Sequence, residues 1–147
     1  MSTNRLVYLD NNATTRIAPE VVESMMPCLT DYWGNPSSAY SLAIKPANLI
    51  EEARERVARL IGTDKRNIVF TSCGTESNNA AIQGALKANP MKRHVVTTAV
   101  EHSANIKFCR YLEKCGYEVT LLPVDLDGAI DFCDLQSAIR QDTAIVS

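Results

Sequence analysis

The amino-acid sequence predicts an α/β fold in which a mostly parallel sheet carries helices on both of its faces. From residue 67 onward, short apolar runs rich in β-branched residues alternate with stretches of helical periodicity. Each helical stretch has roughly a dozen residues, which is long enough to cross from one parallel strand to the next. Apolar residues make up 46% of the 147-residue chain and charged residues 22%, a composition typical of globular domains.

The N-terminal part of the sequence predicts helices and loops. A short extended segment at Leu6–Asp10 precedes a helix that begins near Pro19, because proline suits the first turn of a helix. Gly, Asn, Pro and Ser residues indicate a loop at Trp33–Ser38. A longer helix is predicted over Ala47–Ile61, with Gly62 in the position of a C-terminal capping glycine. The residues predicted to form its buried face are Leu49, Ile50, Ala53, Val57, Leu60 and Ile61.

The rest of the sequence predicts strands that alternate with helices. The predicted strands are Asn67–Thr71, His94–Thr98, Glu118–Val124 and Thr143–Ser147. The predicted helices are Glu76–Lys87, Ser103–Cys115 and a short one that starts at an Asp131 N-cap and ends at Ile139. We therefore predict a helical and loop-rich segment over residues 1–66, followed at 67–147 by the first part of an α/β domain.

The chain ends inside its last predicted strand. A parallel strand is normally buried on both faces and needs neighbours, yet no helix or polar tail follows Thr143–Ser147. We interpret the sequence as a piece of a longer chain that stops within its large domain. A natural edge strand at the terminus is the alternative.

Charge and composition argue against several classes of function. The net charge is −2 and no basic block is present, which argues against nucleic acid or an anionic membrane as a partner. No apolar run approaches the ~20 residues of a membrane span, and the N-terminus lacks the apolar core of a secretory signal. The five cysteines include no C-x-x-C pair. This pattern predicts reduced thiols in a cytoplasmic protein, with neither a disulfide framework nor a metal site.

The stretch "FTSCGTESNNAA" at Phe70–Ala81 predicts a phosphate-binding turn. An apolar segment passes through small polar residues directly into a helix, whose first N–H groups and dipole attract anions. The sequence contains neither G-x-x-x-x-G-K-[ST] nor G-x-G-x-x-G, which argues against a Walker-type or dinucleotide site. Gly74 and Thr75 are the candidate phosphate contacts. The alternative is that Thr75 caps the helix and no ligand binds.

Four stretches in order resemble NifS/IscS-type cysteine desulfurases, in the class V branch of fold type I pyridoxal-phosphate enzymes. They are "YLDNNATT" (Tyr8–Thr15), "GNPSS" (Gly34–Ser38), "FTSCGTESNN" (Phe70–Asn79) and "VEHSA" (Val100–Ala104). The resemblance covers nearly the whole chain. It implies a homodimeric parent enzyme that uses pyridoxal 5′-phosphate to convert L-cysteine to L-alanine and an enzyme-bound persulfide. It also implies a sulfur-acceptor or scaffold protein as partner, in iron–sulfur cluster or other sulfur-transfer biosynthesis.

The resemblance assigns roles to three residues. Gly74 and Thr75 match the pair that binds the cofactor phosphate through its backbone and hydroxyl. His102 matches the histidine that stacks on the pyridine ring and assists proton transfers, which makes it both a cofactor-binding and a catalytic candidate. It follows the strand His94–Thr98, at the sheet edge where open parallel sheets bind ligands. The alternative for His102 is a helix-capping or solvent-facing histidine.

Asn11–Thr15 and Gly34–Ser38 are expected to line the active site or the dimer interface, with ordinary turns as the alternative. The sequence departs from the family after "GNPSS", where Tyr40, Ala43 and Lys45 replace the usual His and Gly-Arg. A role of that segment in substrate or subunit contacts is therefore in doubt.

The residues that the family uses for its chemistry are missing from this sequence. They are a lysine that binds the cofactor covalently, an aspartate beside the pyridine nitrogen and a nucleophilic cysteine. No lysine here lies in the Ser-x-His-Lys context, and no cysteine matches the nucleophile. Cys73 is expected to pack as a small buried residue. We therefore expect this chain to be inactive alone. The alternatives to a desulfurase are another class V enzyme, either an aminotransferase or a selenocysteine lyase, and a non-catalytic phosphate-binding fragment.

Overall fold

The computed structural model describes residues 7–147 of the chain, so Leu6 of the predicted N-terminal extended segment lies outside it. The described part of that segment, residues 7–10, forms no strand. Backbone contacts group the chain into two compact units, Met1–Val69 and Phe70–Ser147. Among the described residues, no helix combines the length and the apolar character needed to cross a membrane.

The first unit is helical. Helix α1 spans Pro19–Thr30 with proline in its first turn, as predicted. Helix α2 spans Ser41–Leu60 and begins earlier than predicted, because Pro46 is accommodated inside the helix and does not precede it. Gly62 has a φ of +71°, the left-handed conformation expected of a glycine that ends a helix. A short 3₁₀ helix at Lys65–Asn67 follows.

The predicted buried face of α2 is wrong. Ile50 and Val57 are more than one-third exposed and Leu60 is 85% exposed, whereas the buried positions are Ala43, Pro46 and Ala58. The physical reason is the partner of the helix: within its unit, α2 packs against the short 3₁₀ helix. The short 3₁₀ helix is too small to cover the whole apolar face of α2, so part of that face stays exposed.

The second unit contains the α/β fold. Its elements in order are α3 (Gly74–Ala88), β1 (His94–Thr98), α4 (Ser103–Lys114), β2 (Glu118–Leu122), α5 (Phe132–Ala138) and β3 (Thr143–Val146). The strands form one sheet in the order β2-β1-β3, and both pairs are parallel. Gly116 has a φ of +82° and ends α4, and the Asp131 carboxylate accepts a hydrogen bond from the Cys133 N–H at the start of α5. The predicted α/β class with a parallel sheet is confirmed.

The predicted strand at Asn67–Thr71 is wrong. Asn67 ends the 3₁₀ helix, and residues 68–71 are not part of the three-stranded sheet of the described chain. The backbone of Ile68 is extended, but its carbonyl accepts a hydrogen bond from Arg54 Nη1 at 2.5 Å. The Ile68 carbonyl therefore binds the side chain of an arginine on α2 and not the N–H group of a neighbouring strand.

The core of the second unit joins two helices to the central strand. Ile82 and Leu86 of α3, Val95 of β1 and Leu112 of α4 form one cluster, and all four are at most 4% exposed. The two helices therefore cover the same face of the sheet as Val95. The neighbouring Val96 points to the opposite face and is also fully buried, so both faces of β1 are covered.

A buried histidine connects the three strands at the N-terminal edge of the sheet. His94 is fully buried, its Nδ1 lies 2.9 Å from Thr143 Oγ1 on β3, and its Nε2 lies 2.8 Å from Thr120 Oγ1 on β2. The Arg140 N–H donates to the same Thr143 hydroxyl. Burial is the main cause that lowers the pKa of His94, and the Arg140 guanidinium adds to it, while Asp142 and Glu118 act in the opposite direction.

This arrangement predicts that the protein loses stability in mild acid. Below the ordinary histidine pKa of about 6.5, the unfolded chain takes up a proton that folded His94 does not. The free energy of unfolding should therefore fall as the pH decreases below about 6.5 and stay constant above about 7.5. Urea unfolding of the wild type and of His94→Gln between pH 5 and pH 8 tests this. Equal slopes for the two proteins would contradict the prediction.

Candidate functional site

Helix α3 begins directly at the predicted phosphate turn. Gly74 is its first residue and Cys73 its N-cap, so the predicted capping by Thr75 is wrong. The first main-chain bond runs from the Ser77 N–H to the Cys73 carbonyl. The N–H groups of Gly74, Thr75 and Glu76 precede this bond and have no carbonyl of the helix to bind. A Cβ atom built on Gly74 would meet nothing within 4 Å, so the main chain faces open space there.

Side chains hold the turn ahead of α3 in one conformation. Glu76 Oε2 accepts hydrogen bonds from the Ser72 N–H and from the Ser72 hydroxyl, both at 2.7 Å. Both bonds lower the pKa of the Glu76 carboxyl, and the bond from the Ser72 hydroxyl has the larger effect. Thr71 Oγ1 lies 2.6 Å from Ser77 Oγ across the same turn. The bonds between Ser72 and Glu76 fix the turn without using the Gly74 N–H, whereas the Thr75 N–H and hydroxyl both contribute to the lowered pKa of the Cys73 thiol.

Cys73 is exposed, which corrects the expectation that it packs as a small buried residue. The reason is its position, because the N-cap of α3 lies outside the packed part of the helix. The main-chain N–H of Glu76 is the largest influence that lowers the pKa of the Cys73 thiol, followed by the Ser72 hydroxyl. A helix N-terminus that favours a thiolate also favours other anions.

His102 lies in the connection between β1 and α4. It is the N-cap of α4, and its Nδ1 accepts a hydrogen bond from the Ala104 N–H at 3.2 Å. The capping role considered from the sequence is therefore confirmed. The ring of His102 belongs to an exposed residue, so capping leaves it accessible.

The order of the elements predicts that the two parts of the candidate site lie at the same edge of the sheet. His102 follows the C-terminal end of β1. Helix α3 ends shortly before β1 begins and packs on Val95, so α3 runs back along the sheet and its first turn reaches the C-terminal edge. No hydrogen bond joins Gly74 or Thr75 to His102 within residues 7–147. A shared cofactor site of these three residues remains a prediction.

The residues at this edge fit a phosphate group. The donors are the first N–H groups of α3 and the Thr75 hydroxyl, and the open space beside Gly74 allows an oxygen to approach the main chain. A metal site is not indicated in the part of the chain that the structure describes, where no three His, Cys, Asp or Glu side chains are grouped to hold an ion.

The comparison with protein families decides the family. The aminotransferase class-V model matches residues 7–147. The chain belongs to the aminotransferase class-V family. The resemblance to cysteine desulfurases is also confirmed, because this class-V chain is 51% identical over 142 residues to cysteine desulfurase 2 of Trichormus variabilis. It is 46% identical over 142 residues to cysteine desulfurase NifS of Azotobacter vinelandii.

These matches cover most of this class-V chain but only part of its relatives. The alignment spans 97% of the chain and 36% of the Trichormus protein, and 96% of the chain and 35% of the Azotobacter protein. Among solved structures, a NifS-like protein superimposes with a TM-score of 0.86 at 36% identity, over 92% of this chain and 38% of that one. A structure of SspA in complex with cysteine gives 0.81 at 40% identity, over 89% of this chain and 38% of that one.

The other two stretches that resemble the family lie in the first unit and form turns. The Ala13 N–H donates to the Asp10 carbonyl, and the Ser37 N–H donates to Asn35 Oδ1. Gly34 is required for packing, because a Cβ atom there would lie 2.4 Å from the Leu42 carbonyl oxygen. These observations explain the stretches as turns and leave their predicted role at the active site or dimer interface a prediction.

The departures from the family pattern have structural roles at the start of α2. Tyr40 is its N-cap and Ala43 is 2% exposed. The Lys45 ammonium lies 5.5 Å from the centre of the Tyr32 ring, a cation–π distance. The sequence does not indicate these positions, since neither a tyrosine at the N-cap position nor a helix that includes Pro46 follows from local preference.

Proposed function

We propose that this chain forms the phosphate-binding part of a pyridoxal-phosphate-dependent cysteine desulfurase. The observation that carries the proposal is the start of α3, where Gly74 and Thr75 present main-chain N–H groups and a hydroxyl at the C-terminal edge of a parallel sheet. Parallel sheets of this kind bind ligands at that edge. The similarity to cysteine desulfurases over 97% of the chain supports the choice of cofactor and reaction.

Each residue has a distinct part in the proposal. The N–H groups of Gly74 and Thr75 and the Thr75 hydroxyl would hold the cofactor phosphate, assisted by the dipole of α3. His102, whose Nδ1 caps α4, would meet the cofactor ring at the same edge. Pyridoxal phosphate, when bound, supplies an electron sink for the amino-acid substrate.

Substrate and partners follow from the resemblance to cysteine desulfurases. We propose L-cysteine as the substrate of the whole enzyme, with L-alanine and protein-bound sulfur as products. A structural relative described as SspA in complex with cysteine supports this substrate. A homodimeric state, a protein that accepts the sulfur for iron–sulfur clusters and a cytoplasmic location are parts of the same proposal.

The phosphate site predicts that phosphate compounds protect Cys73 from alkylation. Cys73 is exposed beside the proposed phosphate donors, and its lowered pKa favours the reactive thiolate. Pyridoxal phosphate and inorganic phosphate should slow the reaction of Cys73 with iodoacetamide, whereas pyridoxal should not. Thr75→Val removes one hydrogen bond to a charged group, so the protecting concentration should rise roughly 10-fold or more. Mass spectrometry of the alkylated peptides gives the rate at each cysteine.

Internal controls make this experiment specific. The exposed Cys133 should react at the same rate with and without phosphate, and Thr30→Val makes the same substitution on another exposed helix residue. Cys73 alkylation that is unaffected by either phosphate compound would contradict the proposed function.

A further inference from the structure

The Glu101 carboxylate, in the connection before α4, binds the main chain of His102 and the side chain of Asn105. Glu101 Oε2 accepts a hydrogen bond from the His102 N–H at 3.1 Å and another from Asn105 Nδ2 at 2.8 Å. Asn105 lies in the first turn of α4, and its own N–H donates to the His102 carbonyl. The carboxylate therefore connects the main chain at His102 to the first turn of α4.

Asn105 occupies a position where packing alone would favour an apolar residue. It is 4% exposed and shares the buried face of α4 with Cys109 and Leu112, at the spacing of one helix face. A buried amide is costly unless it is hydrogen bonded. The Asn105 Nδ2 bond to Glu101 satisfies one side of the amide, whereas Oδ1 has no partner among the described residues. The structure thus shows one hydrogen bond of the Asn105 side-chain amide, the bond to Glu101.

The orientation of His102 determines which ring nitrogen carries the proton. Nδ1 accepts a hydrogen bond from the Ala104 N–H, so Nδ1 is unprotonated and the proton of the neutral ring is on Nε2. Rotation of the ring or a shift of the main chain at His102 would remove this bond. The two bonds to Glu101 oppose such a shift, because they fix the His102 N–H and the first turn of α4 to the same oxygen atom.

We propose that Glu101 and Asn105 are positioning residues that hold the ring of His102 as the Nε2–H tautomer. In this state Nδ1 is engaged with α4, and Nε2 offers a hydrogen-bond donor to a ligand at the sheet edge. The value of this arrangement for catalysis rests on the proposed function, but the tautomer itself does not.

The tautomer can be measured directly because the chain contains only two histidines, His94 and His102. Long-range ¹H–¹⁵N correlation spectra of the ¹⁵N-labelled chain at pH 8.5, above the ordinary histidine pKa, distinguish protonated from unprotonated ring nitrogens. His94→Gln assigns the two sets of signals. We expect an unprotonated Nδ1 and a protonated Nε2 for His102 in the wild type.

Two pairs of variants test the positioning. Asn105→Leu and Glu101→Ala should each shift the ratio of the two tautomers about fivefold toward Nδ1–H, the equivalent of one N-cap bond. Glu101→Gln keeps an oxygen acceptor and should preserve the wild-type ratio. Asn89→Leu makes the same substitution as Asn105→Leu at the C-terminal end of α3 and should have no effect. The His94 signals report the intact sheet in each variant, and Glu101→Ala decides the question if Asn105→Leu does not fold.

An unchanged tautomer ratio in folded Glu101→Ala would overturn the proposal. Protection of Cys73 by phosphate is measured separately, so the two results are independent. A fixed tautomer without phosphate protection would contradict the cofactor site and leave the positioning of His102 standing. If phosphate protects Cys73 but the tautomer ratio of His102 does not change in the Glu101 and Asn105 variants, the cofactor site would stand and the positioning proposal would be contradicted.

Discussion

The purified 147-residue chain, supplied with pyridoxal phosphate and L-cysteine, is expected to release sulfide no faster than pyridoxal phosphate alone. The resemblance implies a cofactor-binding lysine, a ring-nitrogen aspartate and a nucleophilic cysteine, and we predict from the sequence that no residue of this chain matches those positions. Residues that act as a unit in covalent catalysis are not replaced by binding alone, and their loss costs several orders of magnitude in rate. Sulfide release in the presence of a reductant is the deciding measurement.

The lysines of the chain define the control for this experiment. They lie in helices or in the connections between elements: Lys45 in α2, Lys65 in the 3₁₀ helix, Lys87 in α3, Lys92 before β1, and Lys107 and Lys114 in α4. A rate clearly above that of the free cofactor would contradict the prediction. Borohydride reduction followed by mass spectrometry would then identify the lysine that holds the cofactor, and Lys107→Arg would test the one on α4 nearest to His102 in sequence.

The strands of the second unit show what local sequence can predict. His94–Thr98 is a strand over the predicted residues, and Thr143–Ser147 differs only at its last residue. Both are short β-branched runs bounded by polar residues. The segment at residues 68–71 has the same composition but forms no strand, because a strand requires a partner, and the Ile68 carbonyl binds Arg54. Local sequence predicts the preference for an extended backbone and does not predict which neighbour is available.

The sequence named Gly74, Thr75 and His102 as candidate ligand-binding residues, which stays a prediction, but it did not reveal the side chains that support them. Gly74 and Thr75 were proposed from the small polar turn before a helix, and His102 from the family resemblance together with its position after a strand. The bonds from Ser72 to Glu76 and from Asn105 to Glu101 depend on side-chain orientation. Nothing in the sequence marks Asn105 as more than a polar residue on an apolar face.

Ile82→Ala is expected to lower the free energy of unfolding by about 2 to 5 kcal/mol, the cost of removing a large side chain from a packed core. Ile82 is 1% exposed and joins α3 to β1 and α4 in a cluster of only four buried residues. A loss of this size is a large part of the ~5 to 15 kcal/mol that stabilises an ordinary domain. Urea unfolding followed by circular dichroism gives the change.

Ile139→Ala is the matched control, because the same atoms are removed from a side chain that is 50% exposed. It should cost less than half as much as Ile82→Ala. Equal costs for the two variants would show that the Ile82 cluster does not hold the helices to the sheet. The difference matters for the candidate site, since the cluster holds α3 and α4 on one face of β1 and so brings Gly74 and His102 to the same edge. If the cluster has this role, phosphate should also protect Cys73 less well in folded Ile82→Ala than in Ile139→Ala.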